Sequence, residues 1–138
     1  MEGSIESFIV DASYVIARIM PDEDEGNSVR RKFAKFGSGD ISFFSTKLLP
    51  FEVINSIRSA VLRSRFDDDT AKEVFEEFKL LEIPLLEIDF NETLGFALEH
   101  NISCYDASYT YLSTCLHCEL LSKDRKLVDL AKEQTLAT

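Results

Sequence analysis

The chain has 138 residues, of which 45% are hydrophobic and 29% are charged, and this balance excludes a disordered chain. No apolar run approaches the roughly 20 residues of a membrane span, and the N-terminus lacks a signal-like core, so we expect one cytoplasmic domain over residues 1–138. The net charge of −10 argues against a simple basic nucleic-acid binder, but not against an enzyme that holds phosphate through a cation.

Hydrophobic periodicity and turn residues predict alternating strands and helices along the chain. The predicted strands are 8–10, 41–44, 84–88 and 119–122. The predicted helices are centred on 14–19 and 29–36, and then cover 48–65, 70–81, 92–99, 106–116 and 125–133. Strands that alternate with helices indicate an α/β sandwich around a mostly parallel sheet.

Four acidic residues are predicted at the ends of these elements. Asp11 and Asp124 follow apolar strand patterns, whereas Asp106 and Glu52 lie at or near helix starts. Parallel strands joined by right-handed crossovers end at one edge of the sheet, which would bring Asp11 and Asp124 together. Carboxylate oxygens are the ligands that hard divalent cations prefer, and clustered carboxylates should raise at least one pKa.

Most other acids have a structural interpretation. The acidic runs 22–25 and 67–69 each precede a predicted helix, where carboxylates satisfy free backbone amides. Thr70 and Glu73 have capping-box spacing. Asp89 is the strongest competitor for a site role, but its capping-box spacing to Glu92 gives it a sufficient structural role.

Histidines and cysteines give weaker signals. His100 and His117 lie at predicted helix ends, and His117 is 11 residues from Asp106, about 16 Å along a helix, so one ion cannot bind both. Cys115 and Cys118 have C-x-x-C spacing but no second ligand pair. We therefore expect these two cysteines and the third one, Cys104, to be buried or half-buried thiols.

Four sequence words resemble PIN-domain nucleases, and in particular VapC-type toxin ribonucleases. They are FIVDASYVIA at 8–17, PFEVINSI at 50–57, YDASYTYLS at 105–113 and LLSKDRKL at 120–127. They occur in the family order and span nearly the whole chain. Lys123 stands where the family often has a small residue, and the chain's last residues leave little room for the final edge strand that many members carry.

The resemblance implies a three-layer α/β/α sandwich with a four- to five-stranded sheet. It also implies a Mg²⁺- or Mn²⁺-dependent endoribonuclease, usually a homodimer blocked by a VapB-type antitoxin, with RNA as its substrate. The metal-binding and catalytic acids would then be Asp11, Glu52, Asp106 and Asp124. Supporting positions would be Ser13, Asn55 and Ser122.

Two other functions remain open at this point. A haloacid-dehalogenase-type phosphatase also begins with an aspartate after its first strand, but it needs a second aspartate where this chain has Ser13. A non-catalytic PIN-like module that binds RNA or a protein partner is the stronger alternative. Four retained acids argue against it, since such a cluster is costly without a cation.

Overall fold

A computed structural model describes residues 4–137. Four parallel strands form its sheet in the order β3-β2-β1-β4, namely β1 (Glu6–Val10), β2 (Ile41–Thr46), β3 (Leu85–Leu86) and β4 (Glu119–Leu121). Seven helices occur within the same described residues: α1 (Ala12–Ile19), α2 (Gly26–Ser38), α3 (Leu49–Leu62), α4 (Asp68–Leu80), α5 (Phe90–His100), α6 (Cys104–Leu116) and α7 (Arg125–Ala137). None of the helices in this part of the chain is long and apolar enough to cross a membrane.

Alternation along the central strand separates two cores. Phe8 and Val10 pack on one face of the sheet with residues of α1 to α4, while Ile9 packs on the opposite face with α6 and α7. The neighbouring strand divides in the same way, because Phe43 joins the first core and Phe44 the second. Helices on both faces of a parallel sheet give the α/β/α sandwich, which confirms the expected fold class.

The observed boundaries differ from the predicted ones mainly at helix starts. Asp67, rather than Thr70, is the N-cap of α4, because its carboxylate accepts a hydrogen bond from the Thr70 amide at 2.8 Å. Asp89 caps α5 by accepting from the Glu92 amide at 3.0 Å, as predicted. The strand predicted over 84–88 is reduced to β3, because only two of its residues pair with β2.

Helix α6 begins two residues earlier than predicted. Ser103 is its N-cap and accepts a hydrogen bond from the Asp106 amide at 3.0 Å. The Asp106 carboxylate is therefore not needed to cap the helix. An aspartate at a helix start can serve as an N-cap, but here Ser103 has that role.

Candidate active site

The carboxylate of Asp11 lies at the carboxyl end of β1 and is only 5% exposed. It is the N-cap of α1, and Oδ1 accepts hydrogen bonds from the Tyr14 amide at 3.0 Å and from the Ser13 hydroxyl at 2.7 Å. Ser122 donates to Oδ2 at 2.5 Å. Three donors fix this carboxylate, and one lone pair of Oδ2 remains for a further partner.

Ser13 and Ser122 connect Asp11 to the loop after β4. The Lys123 amide donates to the Ser13 hydroxyl oxygen at 2.9 Å, and the Asp124 amide donates to that of Ser122 at 3.0 Å. Each hydroxyl has a single hydrogen, which it gives to Asp11, so the 3.3 Å approach of the two serine oxygens is a packing contact. The two serines thus fix the position of Asp124 relative to Asp11.

Glu52 projects from the first turn of α3 and is half-buried. Its Oε1 accepts a hydrogen bond from the hydroxyl of Tyr109 on α6 at 2.6 Å, and Tyr109 is 1% exposed. The buried Thr46 at the end of β2 lies close enough to the Tyr109 hydroxyl to lower its pKa. A chain of three side chains therefore joins β2, α6 and α3, and it fixes one oxygen of Glu52.

Asp106 and Asp124 complete the group from two further helix starts. Asp106 lies in the first turn of α6 and is partly buried. Asp124 is exposed and caps α7, because its Oδ1 accepts from the amides of Lys126 at 3.0 Å and Leu127 at 3.3 Å. All four acids, which we call the acid pocket, thus lie at N-terminal ends of helices, where the helix dipole stabilises negative charge.

The electrostatics show which acids are neighbours. Burial raises the pKa of Asp11 above its ordinary range against the lowering effect of its three donors, and the charge of Asp106 raises it further. Burial also raises the pKa of Glu52, to which Asp11 and Asp106 add, while the Tyr109 hydrogen bond opposes the shift. Burial and then the charge of Asp124 raise the pKa of Asp106, so Asp106 is the central member.

The expected increase in at least one pKa is therefore found, although burial is its largest cause and repulsion between the acids comes second. Burial and Glu52 together raise the pKa of Tyr109, so its hydroxyl keeps its proton and remains a donor to Glu52. Each shift means that the acid pocket favours a proton or another cation near its carboxylates.

The donor set suits a hard cation in its chemistry, since every candidate ligand is a carboxylate oxygen. The positions of these side chains do not yet form a complete metal-binding site. Within residues 4–137, no three histidine, cysteine, aspartate or glutamate side chains are arranged closely enough to hold one metal ion. The fold thus brings the four carboxylates within electrostatic range of one another without presenting a preassembled three-ligand site.

The remaining predicted positions have mixed outcomes. Asn55 is exposed on α3 and, among the described residues, makes no side-chain hydrogen bond to the acids. His100 and His117 occupy helix ends as expected, with left-handed cap residues at Asn101 and at His117 itself. The expectation of buried or half-buried cysteines is wrong for two of the three, because Cys104 and Cys115 are exposed and only Cys118 is half-buried.

Sequence reasoning missed Tyr109 and Thr46. Tyr109 belongs to a polar stripe on α6 that also contains Thr110 and Ser113, yet the structure buries all three against the sheet. A polar stripe that packs inward needs internal partners, and one of them is Glu52. The signal in the sequence was that this helix contains many hydroxyl residues and few large aliphatic ones.

Comparison with known proteins gives a partial sequence match and a shared fold. No protein-family model matches the chain. Over 61 residues the chain is 38% identical to Exonuclease VapC9 of Pyrobaculum aerophilum, and the match covers 44% of this chain and 43% of that protein, less than half of either.

The structure of PAE2754, also from Pyrobaculum aerophilum, superposes on this chain with a TM-score of 0.72 and 21% identity, covering 96% of this chain and 88% of that one. At this level of identity the likeness shows a shared fold. The chain is thus an α/β/α protein with that fold, and one segment of it is similar to an exonuclease.

Proposed function

We propose that this protein is a metal-dependent endoribonuclease of the PIN type, which hydrolyses RNA phosphodiester bonds as the toxin of a toxin–antitoxin pair. The observation that carries the proposal is the convergence of Asp11, Glu52, Asp106 and Asp124 at one edge of the sheet, with three of their pKa values raised. The similarity of one segment to Exonuclease VapC9 supports nuclease chemistry.

The chain's own residues suit distinct roles. Asp11, Asp106, Asp124 and Glu52 would hold Mg²⁺ or Mn²⁺, directly or through water. A bound ion would supply positive charge to the phosphate oxygens and make the attacking water more acidic. Ser13 and Ser122 keep Asp11 oriented, because they occupy both of its oxygens.

Glu52 has the features of a group that orients and deprotonates water. Tyr109 occupies its Oε1, so Oε2 is the oxygen left to accept a proton. Burial and the charges of Asp11 and Asp106 raise the Glu52 pKa toward the operating pH, which makes a carboxylate a better general base. Tyr109 is in this view a positioning residue that acts through Glu52.

The test is cleavage of a labelled RNA by purified Asp11→Asn and Asp106→Asn proteins, with Asp129→Asn as the matched control on the exposed side of α7. We expect the two pocket variants to lose on the order of 10²-fold or more in rate, since each 1.36 kcal/mol of lost transition-state stabilisation is tenfold. The control should cleave like the parent protein. Undiminished cleavage by both folded pocket variants would refute the assignment.

The mode of cleavage needs its own substrate, because the similar protein is named an exonuclease. A circular single-stranded RNA has no ends, so an endoribonuclease opens it and an exonuclease does not. We expect opening of the circle that depends on a divalent ion. If the protein degrades linear RNA but leaves the circle intact, it is a nuclease and not an endonuclease.

A non-catalytic module that binds RNA or protein is the second candidate, and the lack of a preassembled three-ligand site among residues 4–137 favours it. Thermal melting separates the two, because an ion that binds only the folded state raises stability by RT ln(1 + [L]/Kd), about 2.7 kcal/mol at 100 times Kd. We expect Mn²⁺ to stabilise the parent protein and not Asp106→Asn. Equal melting curves with and without Mn²⁺ favour the module.

Partners follow from the same proposal. A VapB-type antitoxin could neutralise the acid pocket with an arginine or lysine, which pairs strongly with carboxylates. A homodimer is supported by an apolar stripe on α5, where Phe90, Leu94 and Leu98 are 78%, 51% and 73% exposed at helical spacing. Sedimentation velocity tests the dimer, and a monomer at micromolar concentration counts against it.

A further inference from the structure

A groove of about 380 Å³ runs along the outer side of β4, and we call it the β4 groove. β4 is the last strand of the sheet, and α2 and α7 form the two walls of the groove. Ser122 lies at one end, where its hydroxyl donates to Asp11. The groove therefore lies beside the acid pocket, and Ser122 is the residue that connects them.

The charge of the β4 groove is opposite to that of the protein as a whole. Its four cations are Lys32, Lys123, Arg125 and Lys132. Glu119 is its acid, so the groove carries four positive charges and one negative charge, a net +3, in a chain whose net charge is −10. Such a local reversal needs a reason, because it gathers like charges on one surface.

The four groove cations are not held in ion pairs, a state that they share with most lysines and arginines of the described residues 4–137. Across residues 4–137, Arg18, Arg30, Arg65, Lys47 and Lys79 form ion pairs with acidic side chains. None of the four groove cations forms one within that described part. Lys32 instead lies over the ring of Phe8 at 5.6 Å, which leaves its charge available to an anion.

The groove also contains an unused hydrogen-bonding group. Tyr14 lines it and is 5% exposed, and its ring stacks on Phe33 at a centroid distance of 5.7 Å. The Tyr14 hydroxyl is buried and has no hydrogen-bond partner among residues 4–137. A buried hydroxyl without a partner is uncommon in folded proteins, so this position suits a polar ligand atom.

We propose that the β4 groove holds the phosphodiester backbone of the single-stranded RNA that extends from the acid pocket. The inference rests on the proposed function and adds the path of its substrate. An acidic protein repels RNA, so binding needs local cations, and four of them line the groove beside the acid pocket. The lining segment 119–123, which is β4 and the two residues after it, spans at most about 13 Å at 3.3 Å per extended residue, enough for more than one phosphate to contact the groove cations.

An acidic peptide is the other polyanion that the charges would accept. The position of the groove beside the acid pocket favours RNA, because a nuclease substrate must reach both surfaces and a peptide need reach only the groove. Lys32 on α2 lies across the groove from Arg125 and Lys132 on α7, so a phosphodiester chain between the two helices could contact cations on both sides. We therefore argue for RNA and leave the peptide as an outcome of the test.

The experiment compares two double variants with equal charge. Lys32→Glu/Lys132→Glu changes both groove walls, and Lys35→Glu/Lys72→Glu changes two exposed lysines that do not line the groove. Each variant changes the net charge from −10 by two times −2, to −14. Circular dichroism melting checks that both remain folded. Fluorescence anisotropy with a labelled single-stranded RNA, at several KCl concentrations and without divalent ions, gives the affinity.

We expect the groove variant to bind on the order of tenfold more weakly near 0.1 M salt, and its salt slope to fall by about 1.4, since each contact to a single strand contributes about 0.7. The control variant should change far less. Equal losses in both variants would show that only net charge matters and would overturn the proposal. Displacement of the RNA by poly-glutamate at equal charge concentration would also overturn the proposal, because it would show that the groove accepts an acidic peptide equally well.

The groove and the nuclease can fail separately. If the parent protein cleaves RNA and the groove variant binds it like the control, the groove proposal fails and the proposed function stands. If the parent protein binds RNA through the groove but never cleaves it, the proposed nuclease fails and the groove proposal stands. Lysine-to-glutamine versions of the same pairs repeat the comparison without introduced acids.

Discussion

The two faces of the sheet are built differently. The face that packs on α1 to α4 is aromatic: Phe43 contacts the rings of Phe33 and Phe36 at centroid distances of 5.1 and 4.6 Å. The face that packs on α6 and α7 has a smaller apolar core around Ile9 and Leu120. It also buries hydroxyl groups of α6, and Thr110 and Ser113 are among them.

The hydroxyl groups of α6 are nearly all satisfied locally. Thr110 donates to the carbonyl of Asp106 at 2.8 Å, Thr114 to that of Thr110 at 3.0 Å and Ser108 to that of Tyr105 at 2.7 Å. Tyr109 differs, because it donates across to Glu52 on another helix. The comparison indicates that the aromatic face has the larger apolar core, whereas the α6 face supplies Asp106 and the hydroxyl of Tyr109 that positions Glu52.

The largest expected effect is a loss of stability when the aromatic face loses one of its rings. Phe43→Ala removes a fully buried ring from the centre of that core, so the free energy of unfolding should fall by about 3–5 kcal/mol. Urea unfolding measures it. Cleavage per folded molecule should stay near the parent value, because the ring contacts of Phe43 are to other aromatic side chains of this core.

If Phe43→Ala does not fold, Phe43→Leu gives a smaller loss and keeps the test available. A loss of cleavage that exceeds the loss of folded protein in Phe43→Leu would contradict the division between the two faces. It would mean that the aromatic core also positions the acid pocket.

The next effect concerns the α6 face. Tyr109→Phe removes the hydroxyl that donates to Glu52 and leaves the half-buried carboxylate without this hydrogen bond. The free energy of unfolding should therefore fall by about 1.5–3 kcal/mol. The rate of RNA cleavage should fall about tenfold at saturating RNA with little change in KM, because the residue positions Glu52 and does not contact RNA.

Tyr111→Phe is the matched control for this change. It lies on the same helix, and its hydroxyl reaches Glu92 at 3.4 Å on the protein surface, away from the acid pocket. We expect it to retain both stability and cleavage. If Tyr109→Phe changes KM and not the saturated rate, Tyr109 contacts the substrate and the positioning role is wrong.

The fold could be predicted because its signals are local. The runs that end at Val10 and Leu121 are short, apolar and followed by acids, and Asp89 has its capping-box partner three residues later. The start of α6 was misplaced because Ser103 and Asp106 are both acceptable N-caps in sequence. Only the amide that each side chain faces decides between them.

The site could be predicted only in part, because its contacts join distant residues. Asp11 and Ser122 are 111 positions apart, and Glu52 and Tyr109 are 57 apart. Asp11 and Asp124 could be predicted as neighbours because parallel strands end at one edge, whereas Glu52 and Asp106 were predicted from helix starts and the family resemblance. The Tyr109 contact could not be found in the same way, since a polar stripe does not reveal whether it faces water or the sheet.

The smallest expected effect is a pH dependence of stability that comes from the acid pocket. Asp11, Glu52 and Asp106 have raised pKa values when folded, so the folded protein binds protons more readily than the unfolded chain. The free energy of unfolding should therefore fall as pH rises from about 4 through the raised values. The lowered pKa values of Asp22 and Asp67 act in the opposite direction, but only as pH falls below about 4.

Asp11→Asn isolates this contribution. The variant lacks one titrating group and also removes a charge that raises the Glu52 pKa, so its decline in stability between pH 5 and pH 7.5 should be smaller than that of the parent protein. Urea unfolding at both pH values, without divalent ions, measures the difference, and Asp129→Asn should keep the parent slope. The slope is the informative quantity, because asparagine also disturbs the hydrogen bonds of Ser13 and Ser122 and shifts stability at every pH. If Asp11→Asn keeps the pH slope of the parent protein, the three hydrogen-bond donors of Asp11 offset the cost of burying its charge. The acid pocket would then not need a cation at this position.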